Sequence, residues 1–416
     1  MTAMKILHTA DWHLNDRLGR IDRTEDLRRA VERVAHHCRD RAVDVLLVAG
    51  DLFSELARPD ALRETIRHWQ EVFTPFLTGG GTILTITGNH DNENFCKTLQ
   101  HAMTLAAPTA TAPGERVQSG RLYLAAEPTF LRLRDRSDTF DVQFVLMPFP
   151  TASRYLKGEE GRRYTTPNEK NQFLTNAFNQ AHVDIRTHPK FDATIPTALA
   201  AHVTMHGSHV GPSLFRIQET EDIVIHGEGL HAQYEYVALG HIHKPQFVGH
   251  AHVRYSGSIE RLDLGEQHNS PGVVLVEIAA TGRVGEPEVL PLPGTPVYEV
   301  TLLDPYTDLE RLKFEGEDTA NDLVNLHIHY TPGEHNLEEI LAEAEKVYPR
   351  WYARDWVQTN ALGETLTLGE ADRSKSLREI VQGYADTELQ NHDEVEKQEL
   401  LTLLGQIIDE CEAGAA

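Results

Sequence analysis

The 416-residue chain predicts an α/β protein: a two-sheet sandwich flanked by helices, followed by a small α/β capping unit and a C-terminal pair of helices. Three observations carry that expectation. Apolar strand-like runs alternate with helical spacing through roughly the first ninety residues. The pattern then changes to short strands separated by charged turns. Finally, a proline cluster separates this long region from a shorter one of different character.

The elements follow in order. Lys5 to Thr9 is short and apolar, Thr24 to Cys38 has helical spacing, and Val43 to Val48 is a continuous apolar run. A helix through Ala61 to Phe76, a break at Gly79-Gly80-Gly81 and a third strand over Thr82 to Thr87 repeat the scheme. Continuous apolar strands joined by helices imply a buried, largely parallel sheet. From Arg121 to Met147 the short strands are expected to form a second sheet packed on the first. A polar stretch from Thr151 to Asn171 precedes a helix around Glu169 to His182, and Thr194 to Val203 returns as a strand.

Prolines at 287, 291, 293 and 296 predict a hinge. The expected units are therefore residues 1–290, a cap over 296–362 and a helical segment over 370–416. In the cap, Val297 to Leu303 and Leu323 to Tyr330 read as strands and Leu337 to Tyr348 as a helix. In the tail, Leu377, Ile380, Val381 and Tyr384, and again Leu400, Leu403, Leu404 and Ile407, fall at i, i+3, i+4 and i+7. Such a stripe needs a partner, either this chain or another protein.

Composition narrows the class. With 40% hydrophobic and 25% charged residues the chain is an ordinary globular protein, and no apolar run approaches the roughly 20 residues of a membrane helix. The cysteines, Cys38, Cys96 and Cys411, are far apart, which suits a reducing compartment. The first strand begins too early to leave room for a secretion signal, so a cytoplasmic location is expected. A net charge of -24 excludes DNA binding by a whole-surface field, because phosphate attraction needs local Lys and Arg. Arg17, Arg20, Arg23, Arg28, Arg29, Arg132, Arg134, Arg136, Lys157, Arg162 and Arg163 are the candidates, although a solvated helix face is the simpler reading from Arg23 to Arg33.

Four segments place Asp, His or Asn directly after an expected strand: Asp11-Trp12-His13, Gly50-Asp51, Gly88-Asn89-His90-Asp91 and Gly240-His241-Ile242-His243. Strand ends in α/β sheets are where ligands bind. Oxygen and imidazole donors together suit divalent ions such as manganese, and Asp-x-His or His-x-His sets two donors on one side of an extended turn. Gly50, Gly88 and Gly240 permit close approach where a Cβ would obstruct it. Each piece alone is weak, but all four in this order form a signal.

With a strand-end histidine added, these segments resemble the motifs of the calcineurin-like metallophosphoesterases, a superfamily that uses two metal ions. Longer strings, Thr9-Ala10-Asp11-Trp12-His13-Leu14, Ala49-Gly50-Asp51-Leu52-Phe53, Ala238-Leu239-Gly240-His241-Ile242-His243 and Tyr255-Ser256-Gly257-Ser258, are similar to its DNA-nuclease branch. The resemblance runs from Met4 to Glu266. It implies that Asp11, His13 and His243 hold the first metal, that Asp51 bridges both, and that Asn89, His202 and His241 hold the second. His206 and His209 remain alternatives to His202.

The resemblance further implies a catalytic His90 whose ring Asp91 orients, and two Mn2+ ions per chain, other divalent ions being accepted. It implies 3′-to-5′ exonuclease action on duplex DNA ends, endonuclease action on single strands or hairpins, a homodimer, and a coiled-coil ATPase bound through the C-terminal helices. Many members carry His or Asp three residues after the bridging aspartate, where this chain has Ser54. Trp12 and Phe53 read as packing residues. A phosphatase or nucleotide phosphodiesterase is the alternative, since one metal cage serves many phosphate esters.

Overall fold

The computed structural model describes residues 2–55, 57–107, 112–156, 164–210, 223–227, 229–315, 318–359 and 400–404. Two six-stranded sheets face each other. In the first, Met4–Thr9 runs parallel to Val45–Ala49, which is followed outward by Thr82–Ile86 and Leu122–Ala125. On its other side Gly272–Ala279 and Gly282–Pro291 pair antiparallel. In the second, Tyr236–Gly240 lies between Thr197–His202 and His250–Tyr255, parallel to both, and Asp141–Met147 extends the parallel set. Antiparallel edges, Thr129–Arg134 and Gln246–Val248, close it.

The central strands are apolar throughout because both of their faces are covered. Ile6, Val45, Leu47 and Leu84 meet Phe144, Leu146, Ala198 and Ala238 between the sheets. Helices Thr24–Asp40 and Pro59–Thr78 cover the outer face of the first sheet through Leu27, Val31, Val34, Trp69 and Phe73. Helix Pro167–Thr187 does the same for the second through Leu174, Phe178 and Ile185. Trp12 stacks on Phe73 at 6.2 Å and Phe53 on Trp69 at 5.8 Å, so both are packing residues.

The structure corrects two expectations about the chain's course. The stretch from Arg121 to Met147 does not form one sheet: Leu122–Ala125 is the edge of the first, and only Thr129–Arg134 and Asp141–Met147 join the second. Alternation shows that a strand exists but not which sheet it enters. The proline cluster is also not a free hinge. Pro287 and Pro291 sit in the edge strand Gly282–Pro291, where a missing N–H costs no pairing. Past it, the Leu292 N–H donates to the Pro271 carbonyl at 2.8 Å, and Arg261 donates to the carbonyls of Gly294 and Thr295, both at 3.1 Å. Buried Glu260 accepts from the Thr295 N–H at 2.7 Å.

Beyond this braced strap, Val297–Leu302, Leu323–Tyr330 and Trp351–Gln358 form a three-stranded parallel sheet. Two helices cover it rather than the one expected, Pro305–Glu315 and Leu337–Val347, with Leu302, Leu309, Leu326, Ile328 and Ile340 between. Arg20 donates to the carbonyls of Pro349 and Trp351, each at 2.9 Å, and its guanidinium lies 3.8 Å over the Trp351 ring. Arg350 donates to Asp26 at 2.5 Å, and Asp26 also takes the buried Arg23 at 2.6 Å.

Several arginines offered as DNA contacts therefore hold the protein together instead. Arg20 docks the cap, Arg23 pairs with Asp26 and donates to the Arg261 carbonyl, Arg28 pairs with Glu25, Arg132 donates to the Lys190 carbonyl, Arg134 pairs with Asp141, and Arg136 with Asp44. Lys157, Arg162 and Arg163 lie outside the described residues. So do the tail's first helical pattern and the second apart from 400–404, a helical turn on which Leu400 and Leu403 are exposed. Among the described residues, no helix is long and apolar enough to cross a membrane.

Candidate metal centre

Five strands deliver the functional side chains to one rim. Asp11 and His13 follow Met4–Thr9, Asp51 follows Val45–Ala49, Asn89 and His90 follow Thr82–Ile86, His202 ends Thr197–His202, and His241 and His243 follow Tyr236–Gly240. The first three strands are parallel neighbours in one sheet and the last two in the other, so all five C-terminal ends open on the same side. The loops are bonded to each other: the N–H groups of Trp12 and His13 both donate to the Asp51 carbonyl at 2.8 and 3.0 Å, and the His241 N–H donates to Asp11 Oδ1 at 2.9 Å.

This convergence is achieved with strained backbone. Asp11, His13, Asp51 and His241 have φ of 54, 43, 52 and 96°, conformations that cost a non-glycine residue about 1–3 kcal/mol each. The glycines have the steric reason that the sequence implied. A Cβ on Gly50 would enter the His202 ring, one on Gly88 the Asp51 carboxylate, and one on Gly240 the Ala49 carbonyl.

Asp51 lies at the centre. Its Oδ2 is 3.2 Å from His202 Nε2 and 3.6 Å from His13 Nε2, and its Oδ1 accepts from the His90 N–H at 2.9 Å. On one side, His13 Nε2 and His243 Nε2 are 3.2 Å apart, with Asp11 in the same group. On the other, Asn89 Oδ1 lies 3.1 Å from His202 Nε2 and 3.0 Å from His241 Nδ1. The structure thus brings Asp11, His13, Asp51, Asn89, His202, His241 and His243 together. His206 and His209 are exposed outside the cluster, His206 stacking on His226 at 4.7 Å and the His209 N–H donating to the Gln246 side chain.

The donor set fits divalent metal. Asp11, His13 and His243 present ligand atoms within 4.8 Å of one another, as do Asp11, Asp51 and His202. Asp11 Oδ2 is buried with no hydrogen-bond partner among the described residues, which is costly unless a cation compensates it. Burial opposes ionisation of Asp51, yet the charges of His202 and His13 carry its carboxyl well below the usual carboxylate range. Burial pushes the Asp11 carboxyl up, against the pull of His243 and His202. Burial likewise works against protonation of His202 and His243, but Asp51 raises the first and Glu266 the second, each to about 9. Protons bound here occupy ligand atoms that a metal ion would claim.

Asp91 does not orient the His90 ring. Its Oδ2 accepts from the Gly88 N–H at 2.7 Å and its Oδ1 from the Phe53 N–H at 2.9 Å, so it ties two site loops together. The carboxylate facing His90 Nδ1 is that of exposed Glu55, at 3.6 Å. Ser54 is buried and its hydroxyl donates to Asp16 at 3.1 Å.

Two further residues support the site without belonging to any of its motifs. Buried Arg154 donates to the carbonyls of Gly88 and Phe149 at 3.1 and 2.9 Å, holding the Asn89–His90 loop. Fully buried Glu266 accepts from His243 Nδ1 at 2.7 Å. Neither carried a local signal, since His243 and Gly88, the partners that tie them to the site, are 23 and 66 residues away.

With fold and cluster in hand, the class follows: residues 4–245 match the calcineurin-like phosphoesterase family, and the chain belongs to that family as a metal-dependent phosphodiesterase. Its resemblance within the family is narrower. It is 25% identical over 366 residues to SbcD of the nuclease SbcCD from Staphylococcus epidermidis, covering 83% of each chain. The SbcD proteins of Bacillus subtilis and Escherichia coli are 25% and 26% identical, covering 81% and 70% of this chain and 82% and 69% of theirs.

Proposed function

We propose that this protein is a manganese-dependent DNA nuclease, a 3′-to-5′ exonuclease on duplex ends and an endonuclease on single strands and hairpins. In this reading it acts as a homodimer with an SbcC ATPase, bound through the C-terminal segment, in double-strand-break repair and recombination in the cytoplasm. Similarity to SbcD of the nuclease SbcCD along most of the chain supports the substrate and the partner. The observation that carries the chemistry is the Asp51 carboxylate, set between His13 of one ligand group and His202 of the other.

In this reading Asp11, His13 and His243 hold one ion, Asn89, His202 and His241 the other, and Asp51 serves both. Two divalent ions there would polarise a phosphodiester and bring a water into a usable pKa range. Asn89 contributes a neutral oxygen, which limits the negative charge that an incoming phosphate must meet. His90 sits at the edge of the cluster, its side chain 9% exposed. Protonated, it donates to the phosphate or the leaving oxygen. Asp91 and Arg154 keep its loop in place.

The test is end-labelled duplex DNA with the purified protein and Mn2+. Progressive shortening from the 3′ end is expected. Intact duplex alongside hydrolysis of nucleotide monoesters would overturn the nuclease in favour of a phosphatase.

A further inference from the structure

Two of the histidines brought to the rim differ in what fixes their rings. His202 Nδ1 faces the Ala49 carbonyl at 2.7 Å, a neutral acceptor that no side-chain substitution removes. His243 Nδ1 faces a carboxylate, Glu266 Oε1, at the same distance. That carboxylate is fully buried, and its other oxygen accepts from the Ser258 hydroxyl at 2.8 Å and the Leu262 N–H at 3.3 Å. Glu266 belongs to the short helical turn Leu264–Glu266, which the sequence places after the Tyr255-Ser256-Gly257-Ser258 string. The left-handed turn at Gly257, φ 78°, folds that string back so that the Ser258 N–H bonds the His243 carbonyl at 3.1 Å.

We propose that Glu266 is a positioning residue for metal binding: it fixes His243 with the proton on Nδ1, so that Nε2 is aimed at the Asp11–His13 group, and it supports that site selectively. An ionised carboxylate accepts only, so its partner nitrogen must carry the proton and the opposite nitrogen must be the ligand. The second group is held differently, His202 by the Ala49 carbonyl. Ser258 holds the carboxylate at the angle the ring needs. The inference rests on the two-metal reading above.

Calorimetric titration of the metal-free full chain with Mn2+ tests it, with thermal unfolding of the metal-free proteins run in parallel. The wild type is expected to bind two ions in resolvable steps. Glu266→Ala should weaken one step by about 10–100-fold and leave the other within twofold, and Glu266→Gln, which keeps an acceptor, should recover part of the loss. Ser258→Ala covers the case in which Glu266→Ala does not fold, and a smaller loss in the same step is expected. Two unchanged steps in Glu266→Ala, or equal weakening of both steps together with a lowered unfolding temperature, would overturn the inference and leave the metal centre standing. A wild type that binds no Mn2+ would overturn the metal centre and the inference with it.

Discussion

Asp51 and His90 are distinguishable by experiment. Asp51→Ala removes the carboxylate that lies between His13 and His202, so cleavage should fall to background while far-UV circular dichroism stays unchanged. His90→Gln keeps the seven expected ligands, Asp11, His13, Asp51, Asn89, His202, His241 and His243, and should bind Mn2+ as the wild type does, but lose about 10²–10⁴-fold in kcat on DNA. Wild-type kcat in His90→Gln would remove the histidine from the chemistry. These positions were legible in the sequence because each ligand string is short and follows its own strand. Glu266 and Arg154 were not, because their roles depend on His243 and Gly88, which only the folded chain brings near. Asp91 shows the opposite error: adjacency to His90 implied a contact that the loop geometry gives to Gly88 and Phe53.

The element that most changes the picture is the docking of the cap. Asp26, on the helix Thr24–Asp40, is clamped between Arg23 and Arg350. Burial disfavours its charge, but hydrogen bonding to Arg350 and the charge of Arg23 hold its carboxyl below the usual value of 3.8. The sign follows: a carboxyl with a depressed folded-state pKa contributes stability that is complete above its unfolded pKa and lost as pH falls through the folded value. Asp26→Asn should therefore lower stability by roughly 3 kcal/mol near pH 7, and the difference from wild type should shrink only below about pH 4. Equal urea midpoints for the two proteins at pH 7 would show that the clamp contributes nothing. The sequence displayed Arg20 and Arg23 only as charges beside a motif, and a charge does not disclose whether its partner is a phosphate or another part of the chain. Likewise the prolines from 287 to 296 marked a change of unit, but not that Arg261 and Glu260 immobilise the crossing.

At the scale of the whole molecule, the proposed function requires an acidic chain with many arginines engaged internally to attract DNA through metal ions and a partner. Deleting residues 373–416 should spare hydrolysis of a small phosphodiester such as bis-p-nitrophenyl phosphate but abolish recovery of an SbcC protein in a pull-down. Full recovery would place the partner's contact elsewhere. The sandwich itself was readable from alternating patterns, whereas the pairing of five strand ends across two sheets was not, because register between sheets is a property of packing. Anomalous diffraction from crystals of the protein soaked in Mn2+ shows whether those five ends converge on metal. Two peaks are expected, one among Asp11, His13 and His243, the other among Asn89, His202 and His241, with Asp51 in contact with both. A single peak away from Asp51, or none at the rim while Mn2+ occupies sites elsewhere on the surface, would exclude a two-metal centre there.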